Sequence, residues 1–282
     1  MNTIETSSNT VCEHYSQPDL ETAIRDALVA GGKDPQRLTT DDLIAIDEFH
    51  VRGRSATADL ARDIEFDSSM QVLDVGCGLG GASRYLAKEF GCRVTGVDLN
   101  GEYCRIAEGF ARNLGLESLV SYRQGNAVAL PFPDASFDVV WTQHASMNIE
   151  DKALLYREIW RVLKPKGRFA LYDVLAGPGG DVHYPVPWAR EPSISHLITS
   201  RDLLDLLSEI GFQVLVWRNV TEPGRLWFRR MQGRLSGQAQ PDFGLHLLLG
   251  QDFRRMAHNQ ALNLEEDRIA LIEAVVRRPG VS

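Results

Sequence analysis

The sequence predicts an α/β protein built on a Rossmann-like, doubly wound and mostly parallel sheet of seven strands. Two observations predict this fold class. After residue 69, short apolar segments alternate with stretches of helical periodicity, and a glycine-rich turn follows the first apolar segment. Short apolar strands separated by helices are typical of a parallel sheet that is covered on both faces. At 282 residues, the chain is long enough for one such domain with added elements.

The segment before the sheet, residues 1–68, is predicted to form a helical arm or cap. Its polar start is followed by Pro18-Asp19, which predicts the beginning of an amphipathic helix. Thr39 or Thr40 is predicted to cap a second helix through LTTDDLIAIDEFHVRG, and the helical pattern continues in RSATADLARDI. The apolar face of the first helix is predicted to consist of Leu20, Ile24, Leu28 and Val29.

The remaining residues, 69–282, are predicted to form the sheet domain. Strands are predicted at Gln71–Val75, Arg93–Asp98, Val120–Gln124, Phe137–Thr142, Arg168–Val174 and Gln213–Val220. Helices are predicted at Gly81–Phe90, Gly101–Leu114, Asp151–Leu163 and Ser200–Ile210.

The end of the chain is compatible with either strand or helix at Arg268–Arg278. We favour a last strand that pairs beside Gln213–Val220, with Thr221–Asp267 as a mostly helical insertion before it. Residues 175–195 and 221–267 are then expected to be insertions on the substrate side of the domain.

Composition and charge exclude several classes of function. The net charge of −8 and the absence of a long Lys/Arg run argue against a nucleic-acid partner. The first residues have no basic, apolar leader, and no apolar run approaches the roughly 20 residues that span a bilayer, so we expect a cytoplasmic protein without a membrane partner. Four cysteines without a C-x-x-C pair suit a reducing compartment, and the dispersed histidines predict no metal site.

The stretch VLDVGCGLGG places Gly76, Gly78 and Gly81 at the G-x-G-x-x-G spacing of a cofactor-binding turn. The spacing alone is a weak signal, since several cofactors use such a turn. Asp98 ends the second strand, where an acid accepts hydrogen bonds from a ribose; its alternative role is to cap the following helix. Asp74 argues against NAD, because a carboxylate there repels a pyrophosphate but suits a ligand with a cationic amine and a sulfonium.

These motifs resemble those of class I S-adenosylmethionine-dependent methyltransferases over about Gln71–Asp173. VLDVGCGLGG resembles their first motif, VTGVDLN the second, GNAVALPFPDASFDVVWTQHASMNIEDK the third and fourth, and EIWRVLKPKGRFALYD the helix, turn and strand that follow. The Gly-Gly of the turn, MNIEDK and DEFHVRG are most similar to the small-molecule branch, such as sarcosine/dimethylglycine N-methyltransferases and quinone C-methyltransferases.

The resemblance implies which residues bind S-adenosylmethionine. Gly76 and Gly78 are expected to line its methionine portion beside Asp74, and Asp98 to hold its ribose. The other residues assigned by resemblance are Leu99 on one adenine face, Asn126 and Ala127 at the adenine edge, and Gln143 at the reacting end. Many relatives have Asp at position 126, and Asn126 can still accept through its amide oxygen.

Three segments are candidates for the substrate side. His14 and Tyr15 in the arm are candidates for a lid, with Tyr15 as a catalytic group. Gln143, His144 and Asn148 follow the fourth strand, and His144 is either a base or a structural histidine. The Gly- and Pro-containing loop after the fifth strand carries candidate substrate-binding residues, namely His183, Tyr184, Trp188 and Arg190.

The sequence thus predicts a cytoplasmic S-adenosylmethionine-dependent methyltransferase that acts on a small-molecule acceptor. An amine or amino-acid-like nitrogen is the first expectation. Transfer to carbon or oxygen of a quinone-like ring, an NAD-dependent oxidoreductase and a non-catalytic binding protein remain open. The oligomeric state is also open, with a homodimer as one option.

Overall fold

The computed structural model describes residues 10–235 and 243–280, and its centre is a seven-stranded sheet in the order β3-β2-β1-β4-β5-β7-β6. The strands are β1 (Gln71–Val75), β2 (Arg93–Asp98), β3 (Val120–Gln124), β4 (Phe137–Gln143), β5 (Leu163–Ala176), β6 (Gln213–Asn219) and β7 (Ile269–Arg277). The predicted fold class is therefore confirmed.

The order of the strands fixes where a ligand can bind. β1 pairs in parallel with β2 on one side and with β4 on the other. The chain winds outward from β1 to β3 and then returns to β4, so the winding direction reverses beside β1. In parallel sheets, ligands bind at the carboxyl ends of the strands at such a reversal. β7 runs antiparallel between β5 and β6, which confirms the predicted pairing of the last strand.

Helices cover both faces of this sheet and its carboxyl edge. They are α1 (residues 10–15), α2 (Leu20–Ala30), α3 (Thr40–Asp47), α4 (Arg54–Ala61), α5 (Gly81–Phe90), α6 (Gly101–Asn113), α7 (Lys152–Val162), α8 (Ser200–Ile210), α9 (Thr221–Leu235), α10 (His246–Leu249) and α11 (Phe253–Glu265). One face of the sheet packs on Leu86 and Ala107 of α5 and α6, and the other face on Ile159 and Leu207 of α7 and α8.

The N-terminal helices differ in two details from the prediction. Thr39 caps α3 through a capping box with Asp42, as its sequence predicts. However, α3 ends at Asp47, and residues 48–53 form a loop before α4, where Arg52 has a φ of 71° and Gly53 a φ of 52°. Positive φ values do not occur inside a helix, so this segment cannot form the continuous helix that the hydrophobic pattern alone predicted. Val29 was also assigned wrongly to the apolar face of α2, since it is 57% exposed.

Strand β5 begins at Leu163, five residues before its predicted start. The helix α7 before it ends at Val162, because Lys164 precedes Pro165 and a residue before proline disfavours helical backbone. The insertion between β6 and β7 is mostly helical where it is described, which agrees with the prediction; residues 236–242 lie outside the described residues. No helix within residues 10–235 and 243–280 combines the length and the apolar character needed to cross a membrane.

The arm folds over the carboxyl edge of the sheet. His14 Nε2 lies 2.9 Å from the carbonyl oxygen of Pro187, and the Tyr103 hydroxyl donates to the carbonyl oxygen of Tyr15 at 2.9 Å. Residues 1–9 of the predicted arm lie outside the described residues. The arm is thus anchored to both the loop after β5 and the helix α6.

Candidate active site

A cavity of about 800 Å³ lies at the carboxyl ends of β1, β2 and β4. Its volume is within the range of roughly 300–1,000 Å³ that is usual for small-molecule and cofactor sites. The sheet side is lined by the turn after β1 and by the last residues of β2 and β4. The opposite side is lined by Tyr15 of α1, Ile46 of α3, His50 of the 48–53 loop and Leu248 of α10.

The glycines of the turn have different structural roles. Gly76 and Gly78 have φ values of 76° and 54°, which are strained for other residues. A Cβ at Gly76 would lie 2.5 Å from the Cβ of Ala145, whereas a Cβ at Gly78 would have no neighbour within 4 Å. Gly76 therefore allows the turn to pack against the segment after β4, and Gly78 leaves the backbone open to the cavity.

Gly81, the third glycine of the turn, lies against the end of α3. A Cβ there would lie 2.5 Å from the Cβ of Asp47 and 2.7 Å from its carbonyl oxygen. The glycine makes room for the end of α3, so the turn after β1 also determines where the N-terminal helices dock.

Asp98 is partly buried at the carboxyl end of β2 and lines the cavity. Its carboxylate accepts from the backbone N–H of Gly78 and of Asn100, both at 2.9 Å. The side chain of Asn100, rather than that of Asp98, caps α6 by accepting from the Glu102 N–H at 2.9 Å. Burial raises the pKa of Asp98, and its oxygens still have lone pairs for further donors such as hydroxyl groups.

Asp74 is also buried at the cavity wall, next to the turn. The Ser83 hydroxyl of α5 donates to its carboxylate at 2.6 Å. Burial raises the pKa of Asp74 to about 7, although the bond from Ser83 opposes this shift. A cationic ligand group beside Asp74 would therefore meet a carboxyl group that titrates near neutral pH.

We expect the binding of a ligand with a cationic amine to weaken as the pH falls below 7. Protonation of Asp74 removes the attraction, so the affinity should fall by up to about tenfold per pH unit, the limit for one linked proton. Calorimetric titration of S-adenosylhomocysteine between pH 5.5 and pH 8 measures this effect. The Asp74→Asn variant should bind more weakly at pH 8 and with a flatter pH profile; an equally steep profile would assign the titration to another group.

The other residues assigned to the adenine by resemblance are Leu99, Asn126 and Ala127, and all three line the same cavity. The Asn126 side-chain oxygen accepts from the Val128 N–H at 3.1 Å. The structure thus brings together every residue assigned to the cofactor, and their contacts with it remain predictions.

Two further assigned residues, Gln143 and His144, lie at the end of β4 and line the cavity. The Gln143 side-chain oxygen accepts from Trp141 Nε1 at 3.0 Å and from the Thr57 hydroxyl at 3.2 Å, whereas its Nε2 is buried without a partner. His144 has a φ of 49°, its ring lies 4.6 Å from that of Tyr172, and its buried Nε2 also has no partner. Burial lowers the pKa of His144 well below its usual value, so the ring is neutral.

Asn148 connects the arm to the loop after β5 at the edge of the cavity. Its side-chain oxygen accepts from the Tyr15 hydroxyl at 2.9 Å, and its Nδ2 donates to the carbonyl oxygens of Trp188 and Ile194 at 2.6 and 2.8 Å. Lys152 holds the same turn, because its buried Nζ donates to the Ser146 carbonyl at 2.6 Å. Asn148 and Tyr15 therefore line the cavity as one bonded pair.

The candidate residues of the loop after β5 do not line this cavity. Trp188 is 1% exposed in the core, and its Nε1 donates to the Ser195 hydroxyl at 2.9 Å. Arg190 pairs with Asp252, and His183 Nε2 lies 2.8 Å from the Glu266 carboxylate. Tyr184 packs against the same core as Trp188. The helical insertion supplies partners for this loop, so these four residues have no direct contact with a ligand in the cavity.

Because Trp188 is buried in the core, we expect its substitution to lower stability rather than to change ligand binding. Trp188→Phe should lower the free energy of unfolding by about 1–2 kcal/mol, because the bond to Ser195 is lost and the smaller ring fills less of the core. Urea unfolding measures this change. The affinity for S-adenosylhomocysteine should stay unchanged; a weaker affinity at unchanged stability would place the loop at the cavity after all.

Several cavity residues were missed by the sequence reasoning. They are Val11, Cys12, Ile46, Phe49, His50 and Leu248. Phe49 and His50 lie in the segment that was predicted to be helical, and its local pattern gave no signal that it lines the cavity. Leu248 carries no signal, because an isolated leucine in a helical insertion is typical of ordinary packing.

Comparison with known proteins relates this site to a family. Residues 73–171 match the model of a family described as "Methyltransferase domain". The chain is 36% identical over 163 residues to a sterol 24-C-methyltransferase of Eremothecium gossypii. This alignment covers 56% of this chain and 44% of that protein. It is 37% identical over 117 residues to a glycine/sarcosine/dimethylglycine N-methyltransferase of Actinopolyspora halophila, over 42% of this chain and 21% of that protein.

The chain spans about half the length of the curated relatives that it matches, with 44%, 57% and 48% for three of them. Among solved structures, a geranyl diphosphate methyltransferase in complex with GPP and sinefungin is similar over 97% of this chain and 99% of that chain. The TM-score is 0.71 at 15% identity, so this similarity establishes the shared fold. In residues 10–235 and 243–280, no group of three or more His, Cys, Asp or Glu is arranged to hold a metal ion.

Proposed function

We propose that this chain, whose residues 73–171 form a methyltransferase domain, binds S-adenosylmethionine and transfers its methyl group to a small apolar molecule. The observation that carries the proposal is a pair of carboxyl groups, the buried Asp74 and the partly buried Asp98, on either side of a glycine turn that is open to the cavity. When bound, S-adenosylmethionine supplies a methyl group activated by the positive charge on its sulfur.

The residues at the cavity fit this cofactor by their chemistry. The Asp98 carboxylate suits the ribose hydroxyls, and the open backbone at Gly78 suits a ligand that approaches closely. Asp74 suits the cationic amine of the methionine portion. The arm and the 48–53 loop cover the cavity, and this cover limits the access of water to a reactive methyl group.

The acceptor side of the cavity favours a carbon acceptor. Beyond the carboxyl end of β4, Phe49, Tyr15, His144 and Ile198 give part of the wall aromatic and apolar character. Lys152 also lines the cavity, but its ammonium group donates to two backbone carbonyl oxygens. The groups expected to hold an amino-acid-like substrate, above all Arg190, lie outside the cavity walls. These two observations support transfer of the methyl group to a carbon atom rather than to the amine nitrogen that the sequence first suggested.

An oxygen acceptor is disfavoured by the basicity of the histidines. Burial lowers the pKa of His50 to about 4. A phenol, whose pKa is about 10, would have to give its proton to a much weaker base, which makes its ionisation by His50 strongly unfavourable. The carbon acceptor avoids this cost, because an alkene attacks without prior loss of a proton.

The second candidate is N-methylation of an amine. The similarity to the glycine/sarcosine/dimethylglycine N-methyltransferase supports it, and a neutral amine needs no general base during the attack. A cytoplasmic location and a homodimer remain predictions for either acceptor.

Two measurements test the proposed function. Calorimetry should show binding of S-adenosylhomocysteine and none of NADH; binding of NADH alone would contradict the proposal. Transfer of a radiolabelled methyl group is then compared over isoprenoid alkenes, quinols and small amines. Incorporation into alkenes supports the carbon acceptor, incorporation into amines supports the second candidate, and binding without any transfer supports a binding protein.

A further inference from the structure

His50 has a fixed tautomer in this structure. Its Nε2 lies 3.1 Å from the carbonyl oxygen of Gly53 and 3.1 Å from the hydroxyl oxygen of Thr57. A carbonyl oxygen only accepts, so Nε2 must carry the proton of the neutral ring. The basic lone pair of His50 is then on Nδ1.

The partners of Thr57 agree with this assignment. The Thr57 hydroxyl donates to the side-chain oxygen of Gln143 at 3.2 Å, and this amide oxygen also accepts from Trp141 Nε1 at 3.0 Å. The Thr57 hydroxyl also lies 3.5 Å from a Glu48 carboxylate oxygen, and whether it donates to Gln143 or to Glu48, its oxygen can accept from His50 Nε2. The chain of bonds also ties the His50 ring to the carboxyl end of β4.

The carboxylate of Glu48 is buried next to the His50 ring. One oxygen of Glu48 lies 3.5 Å from His50 Nε2, and Arg54 Nε donates to the other oxygen. The Glu48 side chain is 4% exposed. A carboxylate in this position stabilises a histidine that has gained a second proton, as in other sites where an acid orients a histidine base.

We propose that His50 Nδ1 is the proton acceptor of the methyl-transfer reaction and that the acceptor molecule is an alkene. This inference rests on the proposed function. The π electron pair of the alkene forms the bond to the methyl carbon, the methyl–sulfur bond breaks, and its electron pair stays on sulfur. The neighbouring carbon becomes cationic; a proton next to it moves to Nδ1, and the C–H electron pair forms the new double bond.

The surroundings of His50 suit this role. Burial and the guanidinium groups of Arg54 and Arg52 lower the pKa of His50, so the ring is neutral before the reaction and able to accept. A weak base is sufficient, since a proton next to a carbocation is far more acidic than an imidazolium. The neighbouring His144, 6.0 Å away between ring centres, differs from His50, because its buried Nε2 has no hydrogen-bond partner among the described residues.

The tautomer can be measured without any acceptor molecule. In protein labelled with nitrogen-15 at histidine and saturated with S-adenosylhomocysteine, correlation spectra at pH 7 should show His50 as the neutral Nε2–H form. The His50→Gln spectrum assigns the signal. A neutral Nδ1–H form or an imidazolium at pH 7 would overturn the proposal, because Nδ1 would then be unable to accept.

The second test uses the acceptor that shows methyl incorporation in wild-type protein. His50→Gln keeps a donor toward Gly53 and Thr57 but has no basic nitrogen, so kcat should fall by about 100-fold or more. Its affinity for S-adenosylhomocysteine should stay within about twofold. The exposed His258→Gln is the control for loss of a histidine and should keep full kcat.

The possible outcomes separate this inference from the proposed function. Unchanged kcat in His50→Gln, or incorporation only into amines by wild-type protein, would overturn the role of His50 while methyl transfer stands. Failure of wild-type protein to bind S-adenosylhomocysteine would overturn the proposed function itself.

Discussion

Replacing Arg84 with alanine is expected to lower the free energy of unfolding by about 3–5 kcal/mol, the usual effect of removing one partner of a buried ion pair. Arg84 is 1% exposed; it donates to the Asp47 carboxylate at 2.5 Å and to the Leu79 carbonyl at 2.6 Å. Without it, Asp47 remains buried as an unpaired charge. The pair joins α5, which starts at the glycine turn, to the end of α3, so the variant should also bind S-adenosylhomocysteine more weakly.

The loss of stability should depend on pH in a defined direction. Burial raises the pKa of Asp47 to about 6, and Arg84 opposes this shift, so removal of Arg84 should raise the pKa further. A carboxyl group whose folded-state pKa exceeds its unfolded value loses stability as the pH rises through the folded value. Urea unfolding should therefore show a larger difference between wild type and Arg84→Ala at pH 8 than at pH 5.

A double variant is the control for this effect. In Arg84→Met with Asp47→Leu, neither charge remains, and the stability should recover much of the loss. If the double variant were as unstable as Arg84→Ala at both pH values, lost packing rather than the unpaired charge would be the cause.

The part of the fold that sequence reasoning predicted well is the part with local signals. β1, β2, β3 and α5 have the bounds that apolar runs and flanking glycines indicate. The loop at residues 48–53 was missed because its apolar pattern fits a helix, whereas its shape depends on the left-handed backbone of Arg52 and Gly53. A local hydrophobic pattern contains no information on whether the backbone adopts these positive φ values.

The same distinction applies to the site. The residues assigned to the cofactor follow successive strands, and a parallel sheet places the ends of these strands side by side. The order of motifs along the sequence is therefore sufficient to predict that these residues lie together. The acceptor side is assembled from α1, the 48–53 loop and α10, which are far apart in the sequence. The error at Trp188 has the opposite cause. An aromatic residue in a long loop suggested a contact with the ligand, whereas the structure buries this side chain in the core.

Replacing Asp98 with alanine is expected to weaken the binding of S-adenosylhomocysteine by about 3 kcal/mol, or roughly 150-fold. The carboxylate is placed to accept from the ribose hydroxyls, and bonds to a charged acceptor are the stronger class of hydrogen bond. The variant also leaves the N–H groups of Gly78 and Asn100 without their acceptor, so the glycine turn keeps its backbone bonds to Val97 but loses its side-chain contact with β2. Both effects act in the same direction on affinity.

Two further variants separate the charge at Asp98 from its general surroundings. Asp98→Asn keeps the shape and one accepting oxygen, so its affinity should lie between those of the wild type and Asp98→Ala. Glu117→Ala removes an equal charge from an exposed position outside the cavity and should bind as the wild type does. Calorimetry on folded protein decides the matter: if Asp98→Ala bound as tightly as Glu117→Ala, the ribose would have to be held by another group, and the assignment of the β2 end to the cofactor would be wrong.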